Sequence, residues 1–309
     1  MLKYIIIYIT ILLSLSFNAS AYPDRPIRVV TNAIGGAGDL TARTFVDSIK
    51  RSQGWSIVVD NRGGSISTNI VATSQNDGHT ILIQGNATWI NPLFDKNTSW
   101  RIDQLQPITQ LVSAPNILIA NGQSDFKSLR DMIEFAKLNP SQLNASRSSV
   151  GSTTHIAILL FNKLAGVSIV DIPYKDHPQS IFEISAPGNK MISFAAVQNS
   201  VVSLIEAGKL KALATTGTIP FKTLPKLPTI ASVYPDFEVY FISGAWVPKG
   251  TSSKIISTLQ QRFKDASEDP LVIKRLNSSL FDIVVAGPNQ FDAMIAKDTK
   301  RWERLLKKE

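Results

Sequence analysis

The sequence predicts an α/β protein built from two lobes with a ligand cleft between them. First, β-branched segments alternate with amphipathic segments from residue 27 onward, which is typical of a largely parallel sheet covered by helices. Second, this alternation starts again after a polar, glycine-containing segment at residues 146–155. Third, two extended apolar segments, residues 115–121 and 238–247, fall where the chain could cross between two such units. A cleft between two lobes is a common place for a small ligand.

The first half of the chain predicts strands and helices in alternation. β-branched runs such as SIVVDN predict strands, and apolar residues three and four positions apart predict helices. The strands are expected over residues 27–31, 56–61, 80–84 and 115–121, and the helices over residues 39–52, 68–75 and 128–138.

The second half repeats the pattern and then ends in helices. A segment with four prolines, residues 220–235, is expected to be a loop. If the last helices return to the first unit, lobe 1 comprises residues 22–121 and 238–309, and lobe 2 comprises residues 122–237. Strands are expected over residues 168–172, 191–196, 210–215, 238–247 and 282–286, and helices over residues 156–165, 201–207, 252–267, 270–277 and 288–308.

The N-terminal residues 1–21 have the pattern of a cleaved secretory signal. Lys3 supplies a positive charge, residues 4–17 are mostly apolar, and residues 19–21 (ASA) fit a small-x-small cleavage site. A membrane anchor is the alternative, but the apolar run is shorter than the roughly 20 residues that span a bilayer. Cleavage would leave an exported, soluble chain beginning at Tyr22. Because the sequence contains no cysteine, that chain would carry neither a disulfide nor a lipid on a cysteine.

Charge and composition argue against nucleic-acid binding and against catalysis. The chain carries a formal net charge of +8, but the basic residues are dispersed and no zinc or RNA-binding motif is present. The three histidines lack metal-ligand spacing, and no G-x-S-x-G nucleophile motif occurs. The GGAGD turn lacks the Lys-Ser/Thr pair of a P-loop. We therefore expect no metal, no cofactor and no enzymatic activity, and we expect the mild basicity to attract anionic ligands.

Two loops that follow predicted strands of lobe 1 are candidates for binding an anion. The first, residues 33–39 (AIGGAGD), places glycines before a helix, where backbone N–H groups and the positive helix end favour a negative group. Asp39 is expected to be the N-cap of that helix rather than a catalytic acid. The second, residues 85–88 (GNAT), follows a strand and offers Asn86 and Thr88 as hydrogen-bond donors and acceptors.

A third candidate loop, residues 146–155 (SRSSVGSTTH), precedes the first helix of lobe 2. Its hydroxyl and N–H groups can donate to an anion, and His155 is expected in the first turn of the helix. Ordinary N-capping by Ser152 or Thr153 is the alternative role of these residues. If this loop faces the first loop across the cleft, a ligand carboxylate would receive two sets of neutral donors.

These three loops, in this order behind a secretory signal, resemble the Bug/TctC family of bacterial extracytoplasmic solute receptors. The likeness begins with YPDRPIRVV and continues through GGAGD, QGNATWINPLF, VGSTTH and IPYK into the C-terminal helices. It implies a type II-like periplasmic binding protein with two crossing strands, located in the periplasm as a monomer. It also implies capture of a small organic acid and delivery to the membrane permease subunits of a tripartite tricarboxylate transporter. A ligand-sensing receptor that feeds a signalling system is the alternative.

The resemblance implies ligand contacts from all three loops. Two departures from the family pattern add candidates, because Ser149 stands where a glycine is usual and Arg147 replaces a small residue. Arg147 either pairs with a second carboxylate of the ligand or points to solvent. Ala195 and Ala196 stand where many members carry an acidic residue, which makes an amino-acid ligand less expected. The contacts carried over are Ile34, Gly35, Gly36, Asp39, Asn86, Thr88, Val150, Gly151, Ser152, Thr153 and His155.

Overall fold

The computed structural model describes residues 22–175, 177–196, 199–221 and 224–306, so the predicted signal segment lies outside the described residues. The strands are β1 (Ile27–Thr31), β2 (Ile57–Asn61), β3 (Thr80–Gly85), β4 (Leu105–Asn121), β5 (Asn144–Arg147), β6 (Val170–Pro173), β7 (Ile192–Ala196), β8 (Leu210–Thr215), β9 (Tyr240–Pro248) and β10 (Asp282–Ile283). The α-helices are α1 (Ala37–Gln53), α2 (Ile66–Ala72), α3 (Ala87–Phe94), α4 (Leu129–Leu138), α5 (Thr153–Ala165), α6 (His177–Ile184), α7 (Asn199–Glu206), α8 (Ser253–Ser267), α9 (Pro270–Asn277) and α10 (Pro288–Leu306).

Two sheets form the framework, and strand β4 belongs to both. In the first sheet, β1 pairs in parallel with β2 and β3, and β9 lies antiparallel between β3 and β4. In the second sheet, β5 pairs in parallel with β6 and β7, and β4 is antiparallel to β7 and β8. We call the parts built on the first and second sheet lobe 1 and lobe 2. This arrangement confirms the predicted two-lobed α/β class.

The chain passes between the lobes within β4 and again just before β9. Residues of β4 up to Pro115 pair with β9, whereas residues from Asn116 onward pair with β7 and β8. At the return crossing, the Val239 N–H donates to the Thr216 carbonyl of lobe 2 (3.0 Å), and β9 begins at Tyr240. The predicted lobe limits at residues 121 and 238 stay predictions. Strand β4 is part of both sheets, so it does not assign its residues to a single lobe.

Parallel strands require helical crossovers, and these crossovers bring several helix starts to one side of the molecule. Helices α1 and α2 connect β1 to β2 and β2 to β3, while α5, α6 and α7 connect the strands of lobe 2 in order from β5 to β8. Each helix therefore begins just after the carboxyl end of a strand. In open α/β sheets this edge is where ligands bind.

The differences from the predicted elements have identifiable causes. Helix α3 is not among the predicted helices, and it accommodates Pro92 in its interior. Strand β4 begins ten residues earlier than expected, because the chain already pairs with β9 from Leu105 onward. This pairing tolerates Pro107 and two register shifts. Strand β5 and helix α6 were also not predicted, and the predicted strand 282–286 contracts to Asp282–Ile283. Within the predicted loop 220–235, Ile230–Ser232 form one turn of 3-10 helix.

Buried apolar side chains cover both faces of the framework. One cluster packs the first sheet against α1, α8 and α9, with Phe45 and Phe263 fully buried. The largest cluster contains side chains from both lobes, among them Trp246 of β9 and Phe194 of β7. The lobes therefore share buried apolar surface beside the crossing strands. Among the described helices, none is long and apolar enough to cross a membrane.

Candidate ligand-binding cleft

A cavity of about 130 Å³ lies between the lobes at the carboxyl ends of the parallel strands. It is lined by residues of the loops after β1, β2, β3, β5 and β6, by Ala196 at the end of β7, and by Phe241 of β9. Cavities of about 150 Å³ hold molecules the size of benzene, so this space suits a small ligand. Six of the predicted contact residues line it, namely Ile34, Gly36, Asn86, Ser149, Ser152 and Thr153.

The first loop presents the start of α1 to the cavity. Gly36 is the N-cap residue in an extended conformation, and as a glycine it has no side chain with which to cap the helix. Ala37 and Gly38, in the first turn, also line the cavity. The first N–H groups of a helix have no partner within it, so this turn offers neutral donors and a partial positive charge. Gly35 has a φ of +78°, a left-handed conformation that favours glycine, and it is not a lining residue.

Asp39 lies behind this loop rather than in the cavity lining, and the prediction that it is the N-cap is wrong. It is the third residue of α1, and its carboxylate accepts the Gly35 N–H at 3.1 Å. It also accepts hydrogen bonds from Arg43 Nε (2.9 Å) and Asn61 Nδ2 (2.8 Å). An acidic residue here reaches back to a backbone donor just before the helix, as in a capping box. Asp39 thus fixes the shape of the glycine loop.

The second loop is held against crossing strand β9. The side-chain amide of Asn86 accepts the Ile242 N–H (2.7 Å) and donates to the Tyr240 carbonyl (3.2 Å). These bonds leave α3 without a side-chain cap, and Ala87 in its first turn lines the cavity. Thr88 is fully buried outside the lining, and its hydroxyl has no hydrogen-bond partner among the described residues.

The third loop supplies hydroxyl groups from the start of α5. Ser152 is the N-cap, and its Oγ accepts the His155 N–H at 3.4 Å, so N-capping and cavity lining occur in the same residue. The Thr153 hydroxyl accepts from Asn116 Nδ2 (3.3 Å), which leaves its own proton available to an acceptor in the cavity. The hydroxyls of Ser148 and Ser152 both lie within hydrogen-bond distance of Thr154 Oγ1, at 3.2 and 2.9 Å.

Val150 and Gly151 contact lobe 1 instead of lining the cavity. The Val150 carbonyl accepts a hydrogen bond from Asn91 Nδ2 of α3 at 3.2 Å. Gly151 has a φ of +74°, and a Cβ atom at this position would lie 2.7 Å from the Asn91 backbone nitrogen. These two residues therefore join the third loop to α3 across the lobe boundary.

His155 is a buried structural residue in this loop. Its Nδ1 accepts the Gly151 N–H (3.1 Å), and its ring centroid lies 4.8 Å from that of Phe94. Burial, with a smaller contribution from the Arg147 charge, lowers the pKa of His155 to about 4. The imidazole is therefore neutral near pH 7, and it is not a lining residue.

Arg147 is also directed away from the lining. Its Nε donates to Asp171 on the neighbouring strand β6, and its Nη1 donates to the Ser148 carbonyl (3.1 Å). Lys175, just after β6, is instead the charged residue that lines the cavity among the described residues. Lys175 belongs to the IPYK segment of the family resemblance but is not among the predicted contacts, because the position of this segment relative to the cleft depends on strand order.

The electrostatic character of the cavity is that of an anion site. First-turn residues of α1, α3 and α5 line it, so the positive ends of three helices converge there. None of the lining side chains in the described part of the chain is acidic. Within those same residues, no group of three or more histidine, aspartate or glutamate side chains is placed to hold a metal ion.

The sequence model of the family described as tripartite tricarboxylate transporter family receptor (TctC) matches residues 41–309. The chain belongs to this family. Its relatives include protein BugT of Bordetella pertussis, which is 28% identical over 300 residues that cover 94% of this chain and 91% of BugT. The expected membership of the Bug/TctC family is thereby confirmed.

Solved structures of TctC-type receptors share the fold over nearly their whole length. The periplasmic binding protein BugD is 28% identical with a TM-score of 0.85, over 92% of this chain and 97% of BugD. Rpa4515 of R. palustris, solved with adipate, is 25% identical with a TM-score of 0.86, over 92% of this chain and 97% of Rpa4515. These likenesses confirm the periplasmic-binding-protein fold.

Proposed function

We propose that this receptor binds a small carboxylate in the cleft between its lobes, in the periplasm, and delivers it to the membrane permease of a tripartite tricarboxylate transporter. The observation that carries the proposal is the convergence of three helix N-termini on one cavity without an acidic lining side chain. A carboxylate matches such a site because helix N–H groups and hydroxyls donate to it. The relative Rpa4515, solved with adipate, supports a carboxylate as the ligand class.

Two contacts between the lobes suggest how ligand capture proceeds. Near the cavity, Pro178 of α6 approaches Gly35 of the glycine loop, so that a Cβ on Gly35 would lie 3.1 Å from Pro178 Cγ. Elsewhere, Asn91 of α3 meets the third loop of lobe 2. A ligand that contacts both lobes favours the conformation in which these contacts exist, because it binds that conformation more tightly. Rotation about the crossing strands would open and close the cleft.

Thermal unfolding with a panel of carboxylic acids tests the proposal. A bound acid at 100 times its Kd should stabilise the protein by about 2.7 kcal/mol, which raises the Tm by roughly 5–10 °C for a chain of this size. Titration calorimetry on each hit measures Kd, and chromatography of the mixture shows whether the acid is recovered unchanged. Turnover of a hit would contradict a binding function.

A matched pair of variants locates the binding. Gly63 lines the cavity, and a Cβ there would meet no atom of the described residues within 4 Å. Gly63→Phe should therefore fold normally, fill the cavity and weaken binding by more than about tenfold. Ser99→Phe adds the same ring at an exposed position of lobe 1 outside the cavity and should leave Kd unchanged. Equal affinities in the two variants would place the ligand elsewhere.

Delivery to a permease has its own test. A strain that lacks the gene for this receptor should lose uptake of the radiolabelled acid identified by calorimetry. Wild-type receptor should restore uptake and Gly63→Phe should not. Unchanged uptake in the deletion strain would contradict a transport role and favour sensing.

A further inference from the structure

The cavity has two chemically different ends. Its inner end lies at the crossing strands, where Asn86 is bonded to β9 and Thr153 to Asn116 of β4. Its outer end is marked by Ile34, a residue that is 68% exposed, and by Lys175, which is also exposed. The starts of α3 and α5 therefore lie near the hinge, and the cationic lining residue lies at the mouth.

The backbone holds Lys175 at this outer end. Tyr174, directly before it, donates its N–H to the Arg147 carbonyl (2.9 Å) and so continues the pairing of β6 with β5. Three residues later, Pro178 approaches Gly35 of the opposite lobe. Lys175 thus lies between a fixed strand end and the contact between the lobes at the mouth.

Other cations around the cleft are already paired with acids. Arg147 is bonded to Asp171. Arg43 pairs with Asp39 at 2.9 Å. Unlike these two arginines, Lys175 forms no ion pair within 4.0 Å among the described residues. Its ammonium group is therefore available to a charged group of a ligand.

We propose that Lys175 binds a second acidic group of the ligand at the cleft mouth, while the first carboxylate lies at the inner end on the N-termini of α3 and α5. The inference rests on the proposed function and narrows it to acids with two negative groups joined by a short chain. It also gives Lys175 the role that was one of the two alternatives for Arg147, pairing with a second carboxylate. The apolar side chains of Ile34 and Phe241 in the lining suit the methylene groups between the two carboxylates.

The test compares a diacid with its half ester in wild type and variants. Glutarate and adipate are titrated calorimetrically beside monomethyl glutarate and monomethyl adipate, which keep the chain and one carboxylate. Wild type should prefer at least one diacid over its half ester by about tenfold or more, because a charge pair in a partly enclosed site contributes on the order of 1.4 kcal/mol. Lys175→Met should lose this preference while binding the half ester with unchanged Kd.

Two further variants serve as controls. Lys137→Met removes a charge from an exposed position of α4 outside the cavity and should keep the preference. Lys175→Arg keeps the charge and should retain most of the preference for the diacid over the half ester. If Lys175→Met binds the diacids as tightly as wild type does, or if wild type does not distinguish diacid from half ester, the inference is wrong although the receptor function stands. If wild type binds none of these acids nor any other carboxylate in the thermal panel, the proposed function itself is wrong.

Discussion

Ala196 lines the cavity at a position where an acidic side chain would bind the amino group of a ligand. It ends β7 beside Asn116 of the crossing strand, whereas its neighbour Ala195 is buried in the core of lobe 2. An acidic group at position 196 would face the ligand and could pair with an ammonium group. With alanine here, nothing in the described lining neutralises the positive charge of an amino acid.

The lack of an acidic side chain at position 196 gives a prediction for a variant that introduces one. Ala196→Asp should bind glutamate or aspartate more tightly than wild type does, and it should bind diacids more weakly because two negative groups would then face each other. Ala196→Asn has nearly the same shape without the charge and is the control, so it should show neither change. Calorimetric titrations with both ligand types measure the effect, and tight binding of glutamate by wild type would contradict the reasoning.

The candidate site was predictable where local sequence decides it, and it was not predictable where strand order decides it. Gly36, Ser152 and Thr153 lie at helix starts that glycine and hydroxyl patterns indicate, and each of them lines the cavity. Arg147 and Lys175 are both basic residues next to strands, and only the adjacency of β5 and β6 pairs Arg147 with Asp171. Tertiary pairing of this kind leaves no local signature.

At the level of elements, the start of α5 depends on a neutral histidine. The Gly151 N–H needs an acceptor, and Nδ1 of His155 provides it only while unprotonated. The pKa of His155 is about 4 in the folded protein, against about 6.5 in an unfolded chain. The unfolded state therefore binds more protons between these two values.

This linkage predicts a specific loss of stability in acid. As the pH falls from about 6.5 towards 4, the cost of keeping His155 neutral should grow to roughly 3 kcal/mol. His155→Asn retains an acceptor near the position of Nδ1 but does not titrate. The difference in Tm between wild type and this variant should therefore shift in favour of the variant between pH 7 and pH 4.5. A constant difference over this range would show that His155 is not the titrating group.

Helix α3 shows why element prediction fails at functional positions. Asn91-Pro92 reads as a turn, but the helix is braced from two sides. Trp89 Nε1 donates to Asp298 of α10 (2.8 Å), and Asn91 contacts the third loop. Tertiary contacts of this kind override the local preference of a proline. The strongly periodic α8 and α9, by contrast, match the predicted bounds within one residue.

For the whole molecule, the close approach of Gly151 to α3 couples the two lobes. A methyl group at this position would lie 2.7 Å from the Asn91 backbone nitrogen, so the third loop could not approach α3 to the observed distance. The neighbouring ligand donors of α5 would then be displaced from those of lobe 1. The effect concerns the relative position of the lobes rather than a contact with the ligand.

Gly151→Ala should accordingly weaken binding of every acid by about tenfold or more, without changing the preference between diacid and half ester. Gly166→Ala is a close control, because Gly166 also has a left-handed φ (+64°) but no atom in the described part of the chain would lie within 4 Å of its Cβ. Both variants should lose about 1 kcal/mol of stability from backbone strain, and only Gly151→Ala should lose affinity. Small-angle scattering with saturating acid should show a larger radius of gyration for Gly151→Ala than for the control. Equal Kd values in the two variants would contradict this coupling.

The change of partners inside β4 has a kinetic consequence. If the lobes rotate about the crossing strands as proposed, atoms near the change of partners at Pro115 and Asn116 are displaced little and atoms at the mouth are displaced most. Asn86 and Thr153 then already lie near their ligand-binding positions in the open receptor, whereas Lys175 and Ile34 reach theirs only when the cleft has closed. Contacts formed last are the first to break. The inner end would therefore govern how fast an acid is captured, and the mouth would govern how long it is kept.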